Sequence, residues 1–501
     1  MKNFPIKHVG LRPRVILAAS LALALTACAG LPSKVAPPTL QDEVPLAGLQ
    51  TPTRAGWPDS QWWRQYDDPQ LDQLMNHAMQ ESPDLALAQS RVQGAEESAN
   101  LAAAQLGLSA NGSAQFTRQR LSDTGLIPPK FLGFNWYNQA DIGVQLQYDF
   151  DWWGKKRSTM EAALDQAHAA EAQRSAAALA IQYAIADTYF GWQADQARLQ
   201  IAEQLLANQQ QLESIAALRV KQGVDLPDEA EKAMAQLAAA REMWAAIAGS
   251  ARIRYAALAS LLGMAPAQMP ELEPRPLPAV EHGLPTNVGL DLIARRPDIA
   301  ASRWQVEAAL KKTDAARAEF FPDISLQATA GLSSLEVGEL FTPGSRTFAL
   351  TPAIHLPIFN KGSIKANYGV SKAQLEEAVA QYDSTIQTAA REVSTQALTS
   401  EQIAARQREQ KAQLDADQKL LNNAQARARQ GVRDARERLA ARANLLQQQD
   451  ASAQLKAQAL STDLSLIKAL GGGYRDVAQT TASSQSPTPS PNTGAADHER
   501  H

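Results

Sequence analysis

Four stretches of the chain alternate apolar and polar residues with a period of two, and they fall into two pairs. In the first pair, Ala110, Gly112, Ala114 and Phe116 interleave with Asn111, Ser113, Gln115 and Thr117. Ile142, Val144, Leu146, Tyr148 and Phe150 do the same with Gly143, Gln145, Gln147, Asp149 and Asp151. In the second pair, Ile324, Leu326, Ala328 and Ala330 alternate with Ser325, Gln327, Thr329 and Gly331. Phe348, Leu350, Pro352, Ile354 and Leu356 then alternate with Ala349, Thr351, Ala353 and His355. Successive strand side chains point to opposite faces, so each stretch predicts a β-strand with one apolar face and one uncharged or hydrophilic face. Pro352 cannot donate to a ladder and predicts a bulge or a sheet edge.

Elsewhere the period is helical. Asp68 is placed to cap a helix whose first residue is Pro69 and whose apolar face is Leu71, Leu74, Met75 and Ala78; helix continues over 84–107. Residues 155–222 and 363–430 are rich in Ala, Gln, Leu and Glu and contain no proline. At 1.5 Å per residue each predicts a single helix of about 100 Å. Gly191 and Gly369 are their weak points, while Leu199, Leu205, Leu206, Leu212 and Ile215 supply a coiled-coil-like seam. Gly223 and Gly431 suit left-handed caps, beyond which a second helix of about 35 residues returns to Leu262 or Leu470.

The whole pattern is written twice. Ser82-Pro83-Asp84-Leu85 is answered by Arg296-Pro297-Asp298-Ile299, and Arg219-Val220-Lys221-Gln222-Gly223-Val224 by Arg427-Ala428-Arg429-Gln430-Gly431-Val432. A spacing of roughly 210 residues is that of a duplicated domain half, not of a solenoid. The organisation predicted is a signal over 1–27, an extended tether and first helical turn over 28–70, and a first repeat over 71–263. A linker with six prolines covers 264–287, a second repeat 288–470 and a disordered tail 471–501.

Composition narrows the compartment. With 45% hydrophobic and 20% charged residues the chain is globular, and a mean hydropathy of −0.30 excludes a bundle of membrane-spanning helices. Lys2, Lys7, Arg12 and Arg14 precede the apolar run Val15 to Leu25, the layout of a secretory signal. It ends in Leu25-Thr26-Ala27-Cys28, which resembles the bacterial lipobox, whose cysteine becomes the acylated first residue. Cys28 is the only cysteine, so no disulfide can form within the chain, and acyl chains such as palmitate are its most economical use. Ala29 and Gly30 replace the Asp that marks inner-membrane retention, which implies the outer membrane. The net charge of −4, more negative once the signal is removed, argues against a nucleic-acid partner.

Strands of about ten residues span an outer membrane when tilted. Phe131, Phe134, Trp136, Tyr137, Trp152 and Trp153 lie near the strand ends, where interfacial girdles sit. Four strands cannot close a barrel, and open edges are not tolerated in lipid, so other subunits must complete it. Three copies supply twelve strands above a ring of long antiparallel helices. The fold class predicted is therefore mainly α with a membrane β-barrel part. At this point the chain resembles the outer membrane factor family, TolC-like and NodT-type, in its efflux-lipoprotein branch. The resemblance is carried most specifically by Leu290-Asp291-Leu292-Ile293-Ala294-Arg295-Arg296-Pro297-Asp298-Ile299 and by Ala318-Glu319-Phe320-Phe321-Pro322-Asp323-Ile324 entering a strand. It looks closest to the subgroup paired with major-facilitator-type pumps, including fusaric-acid and aromatic-acid exporters. The resemblance implies a homotrimeric multidrug-efflux duct, anchored in outer-membrane lipid and reaching into the periplasm. Its partners would be a periplasmic adaptor and an inner-membrane pump. The alternative is a lipid-anchored periplasmic coiled-coil adaptor without a pore, which leaves the four strands unexplained.

No catalytic or cofactor constellation is present. The seven histidines are scattered without metal spacing, and His355 reads as a solvated strand residue. Asp149 and Asp151 read as lumen-lining groups and Lys155-Lys156-Arg157 as a solvated basic patch. Relatives constrict the periplasmic end with acidic and hydrogen-bonding residues near the helical turns. This sequence has Asp225 and Asp228 after Gly223-Val224, and Arg433, Asp434 and Arg436 after Gly431-Val432. Two readings stand side by side: an end held closed by pairing among these charges, and exposed, solvated turns.

Overall fold

In the computed structural model the four alternating stretches pair in chain order as one antiparallel sheet. The structure describes residues 32–46, 56–124, 129–280, 283–286, 288–357, 360–430 and 434–475. The signal, Cys28, Gly431, Arg433 and the tail beyond Arg475 lie outside these residues.

The strands are β1 (Ser109–Arg120), β2 (Trp136–Phe150), β3 (Asp323–Ser334) and β4 (Arg346–His355). Leu146 opposes Ala110 on one side and Ala328 on the other, and Ala328 in turn opposes Leu350. Directly opposed residues share a face. All four apolar sets therefore fall together, while Asn111, Gln145, Thr329 and Ala349 form one row of the other face. The apolar face is bare, with Phe116 60%, Leu350 68% and Phe348 77% exposed. A soluble sheet would cover such a face. Pro352 opposes Leu326 on β4, an edge strand, so the edge and not a bulge accommodates it. Gly143 faces Gly331 across β2 and β3. A Cβ built on Gly331 would lie 2.5 Å from the Ile142 carbonyl oxygen and 2.9 Å from the Gly143 Cα, so the backbones approach more closely there than a side chain permits.

Asp151 departs from its expected place. It lies just past β2, and its carboxylate accepts from the Lys156 and Arg157 amides at 3.0 and 2.8 Å, which caps the following helix. The basic patch is paired as well: Lys156 Nζ lies 2.8 Å from Asp149, and Lys155 Nζ 3.5 Å from Glu319.

The helices follow the duplication. Helices α1 (Pro69–Glu81) and α2 (Pro83–Ala104) precede the first strand pair, and α3 (Lys155–Lys221) and α4 (Pro227–Leu261) follow it. Helices α5 (Val288–Arg295) and α6 (Pro297–Ala318) precede the second pair, and α7 (Lys361–Arg429) and α8 (Ala435–Ala469) follow it. Asp68 caps α1 as expected, accepting from the Gln70 and Leu71 amides. Neither Gly191 nor Gly369 interrupts its helix, α3 running for 67 residues and α7 for 69. Among the described residues, no helix is long and apolar enough to cross a membrane.

The chain divides into two compact units, and each draws on both repeats. One comprises the tether up to Thr39, Glu96–Gln166 and Val306–Val379, and so contains the sheet. Within it the tether is held by Lys34 to Asp314 at 3.3 Å and by Arg317 and Tyr368 donating to the Pro32 and Ser33 carbonyls. The other unit comprises Leu40–Ala95, Ala167–Gln305 and the chain from Ala380. Its core packs Trp62, Trp63 and Tyr66 with Leu71 and Met75 of α1, Ile185 and Tyr189 of α3, Leu258 of α4 and Leu464 of α8. The buried Arg296 guanidinium binds Asp298, Glu392 and the Ala469 carbonyl, tying the α5–α6 joint to α7 and the end of α8. Gly471 to Arg475 are placed, and Tyr474 packs on Ala172, Ala300 and Ala301.

Candidate functional site at the helical turns

The turn from α3 to α4 is built by local rules. Gly223, at φ +70°, donates its amide to the Val220 carbonyl, and Val224 donates to the Arg219 carbonyl at 2.9 Å. This is the two-bond C-cap that a left-handed glycine permits, and Gly263 and Gly471 close α4 and α8 in the same way. Pro227 then opens α4, since its missing N–H is an orphan at that position anyway. At the second turn, Asp434 caps α8 by accepting from the Arg436 amide at 3.1 Å.

The two turns meet through charges. The Arg219 guanidinium grips Asp225 with two parallel bonds of 2.8 and 3.0 Å. Arg436 lies between Asp225, at 2.9 Å, and Asp434, at 2.8 Å, and Arg219 approaches Asp434 at 3.6 Å. Two arginines and two aspartates thus close a ring within one chain that joins the end of α3, the first turn and the start of α8. Hydrogen bonds from Arg219, with the charges of Arg219 and Arg436, hold the Asp225 carboxyl below its ordinary range. Asp434 is held down by the Arg436 amide and side chain, and the Arg219 guanidinium is pushed up by Asp225. Such a set performs no bond chemistry; it ties the end of α3, the first turn and the start of α8 together through paired charges. Among the described residues, no group of His, Cys, Asp and Glu could hold a metal ion.

Of the residues singled out from the sequence, Asp225, Asp434 and Arg436 come together. Asp228 does not join them; it sits exposed in the first turn of α4, where it supports the Lys232 charge. Arg433 lies outside the described residues. Arg219 went unrecognised although its signal was present, an arginine four positions before the glycine in both repeats. Its counterpart, Arg427, pairs with Glu437 of α8.

Comparison with known proteins places this architecture. The family model described as outer membrane efflux protein matches residues 74–264 and 290–472, nearly the two repeats. The multidrug resistance outer membrane protein MdtP of Escherichia coli is 31% identical over 445 residues, covering 87% of this chain and 90% of that protein. The crystal structure of the outer membrane protein VceC from Vibrio cholerae matches with a TM-score of 0.75 and 31% identity, over 84% of this chain and 100% of that one. The open state of the MtrE outer membrane channel of Neisseria gonorrhoeae matches with a TM-score of 0.76 and 27% identity, over 89% and 99%. An uncovered apolar sheet, duplicated long helices and agreement along both repeats converge on one assignment: the chain belongs to the outer membrane efflux protein family, whose members are outer-membrane channels and not enzymes.

Proposed function

We propose that three copies of this chain form a continuous duct. Their twelve strands complete a barrel in the outer membrane, and their long antiparallel helices enclose a tunnel on the periplasmic side. The observation that carries this reading is the sheet, in which β1 and β4 each have one edge without a strand partner among the described residues. Lipid does not tolerate such edges, and neighbouring copies would satisfy them. The same strands disfavour the pore-less adaptor.

The duct receives its cargo from an inner-membrane pump through a periplasmic adaptor. The cargo class is drugs or toxic small molecules, in keeping with the multidrug name of MdtP, and the subgroup resemblance adds fusaric acid and related aromatic acids. Lipid attached to Cys28 anchors the chain beside its barrel, and the charge ring at the turns restrains the periplasmic end. The trimer is tested by gel migration without heating: a band near three times the chain mass that collapses to one on boiling is expected. A monomer at every temperature would remove the barrel. Mass spectrometry of the mature N-terminus tests the anchor, with an acylated Cys28 expected and an unmodified cysteine excluding it.

A further inference from the structure

Midway along α3, well away from the turns, lies a second ionic group that the closing reading does not use. The Asp195 carboxylate is buried, its side chain 5% exposed, and accepts from Ser250 Oγ at 2.7 Å and Arg254 Nε at 3.0 Å, both on α4. Its other oxygen lies 3.8 Å from Arg198, one turn along α3. Arg198 reaches the opposite way, with Nε 2.7 Å and Nη2 3.3 Å from Asp450 of α8, and Gln454 completes that carboxylate. Asp450 is 8% exposed. The order is Arg254, Asp195, Arg198, Asp450, alternating in sign across three helices.

Gly191 explains how Arg254 gets there. Residues four apart lie on one stripe of a helix, so Gly191 sits directly beside Asp195. A Cβ on Gly191 would fall 2.7 Å from the Arg254 Cζ and 3.2 Å from its Nε. The guanidinium therefore occupies the space that a methyl group would fill. In a helix interior glycine is a poorer choice than alanine, and here the missing methyl leaves room for an arginine of α4 to lie against α3 and reach Asp195.

We propose that Gly191 is a seat for Arg254, and that the relay from Arg254 to Asp450 is a latch that fixes α4 and α8 on α3. Helices α3 and α8 also carry the charge ring, about 35 Å further along α3, with Asp225 in the turn that leads into α4, and the latch keeps that ring in register. This last step rests on the reading of the turns as a closing end. The relay is coupled by its charges. When Arg254 leaves, Asp195 retains Arg198 alone among these cations and draws it away from Asp450, so that loosening α4 also loosens α8.

The test uses the full-length channel and two readouts: conductance in planar bilayers, and amide hydrogen exchange in α8 around Asp450. Gly191→Ala and Arg254→Gln should each raise conductance about threefold, the scale of one partly exposed ion pair lost. Both should speed exchange around Asp450, and the double variant should do no more than either alone. Arg254→Lys, which keeps the cation, should stay near the parent. Independent, multiplying effects of the two substitutions would overturn the seat, and unchanged exchange in both would overturn the latch. Arg436→Ser serves as the reference. If it opens the channel while neither latch variant does, the latch fails as a positioning device and the closing reading survives. If exchange responds to the latch variants but Arg436→Ser leaves conductance unchanged, the closing reading fails and the latch stands as a helix clamp.

Discussion

The sheet and the helical turns are built on opposite terms. The sheet leaves Phe348, Leu350 and Ile354 more than half exposed, so the surroundings that stabilise it must come from outside the chain. At the turns, Asp225 finds two arginines within its own chain and its side chain is only 12% exposed. One region is unfinished as a monomer, whereas Asp225 and Asp434 of the other find their cations within the chain. Substitutions in the sheet should accordingly act through insertion and assembly, with large effects. Those at the turns should act through weak, screenable charges.

The strongest challenge to this contrast is a cation on the lipid face. Leu146→Arg should abolish recovery of the heat-sensitive trimer from outer membranes, at about 2–4 kcal/mol per site near mid-membrane. Gln145→Arg, one residue away on the opposite face, should be recovered at nearly the parent level. Equal damage from both would reverse or dissolve the two-face reading. A smaller effect is expected where the backbones of β2 and β3 crowd. Gly331→Ala should destabilise by about 1–3 kcal/mol in denaturant unfolding, since a fixed carbonyl cannot move aside as a side chain can. Gly338→Ala, where a Cβ would meet nothing within 4 Å, serves as the control and should be near neutral. Matching midpoints for the two would show that the close approach does not limit the sheet.

The smallest effects belong to the turns. Channels carrying Arg433→Ser and Arg436→Ser should conduct more at low salt, with the difference narrowing at high salt as screening removes the pair. An unchanged low-salt conductance in an intact trimer would favour solvated turns. The pH dependence sharpens the point. Asp225 and Asp434 are held below the ordinary carboxylate range. A depressed carboxyl contributes stability above its unfolded value and loses it as pH falls through its folded one. Closure should therefore hold from neutrality down to about pH 4 and weaken only below it. Open probability titrated between neutral and acidic pH measures this, and a rise centred near pH 6 would assign the transition to another kind of group.

The parts legible in sequence were those whose signal lies within a few residues. A period of two identifies a strand and both its faces, so Ile142 to Phe150 were readable to the side of the sheet. Asp151 continues that alternation in the sequence and reads as part of it; the turn through Trp152 and Trp153 makes it a cap instead. Glycine caps were legible for the same local reason. The charge ring was readable in part, because Asp225, Asp434 and Arg436 flank the turns, whereas Arg219 belongs to the preceding helix and acts by reaching forward. Gly191 looked like a flaw in α3 because its purpose lies on α4, and helical periodicity does not say which antiparallel neighbour arrives beside a given residue.

That each compact unit is woven from both repeats has a consequence in time. Ala140 of the first repeat must find Ser334 of the second before β2 and β3 can pair, and the sheet cannot finish while the second repeat is still being made. Closing so large a loop delays the reward of pairing. Until then the apolar residues of β1 and β2 have no third strand beside them, and apolar strand surface open to water is prone to aggregation. A newly exported chain therefore needs shelter for as long as its second half is arriving, and the rate of that arrival sets how long the exposure lasts.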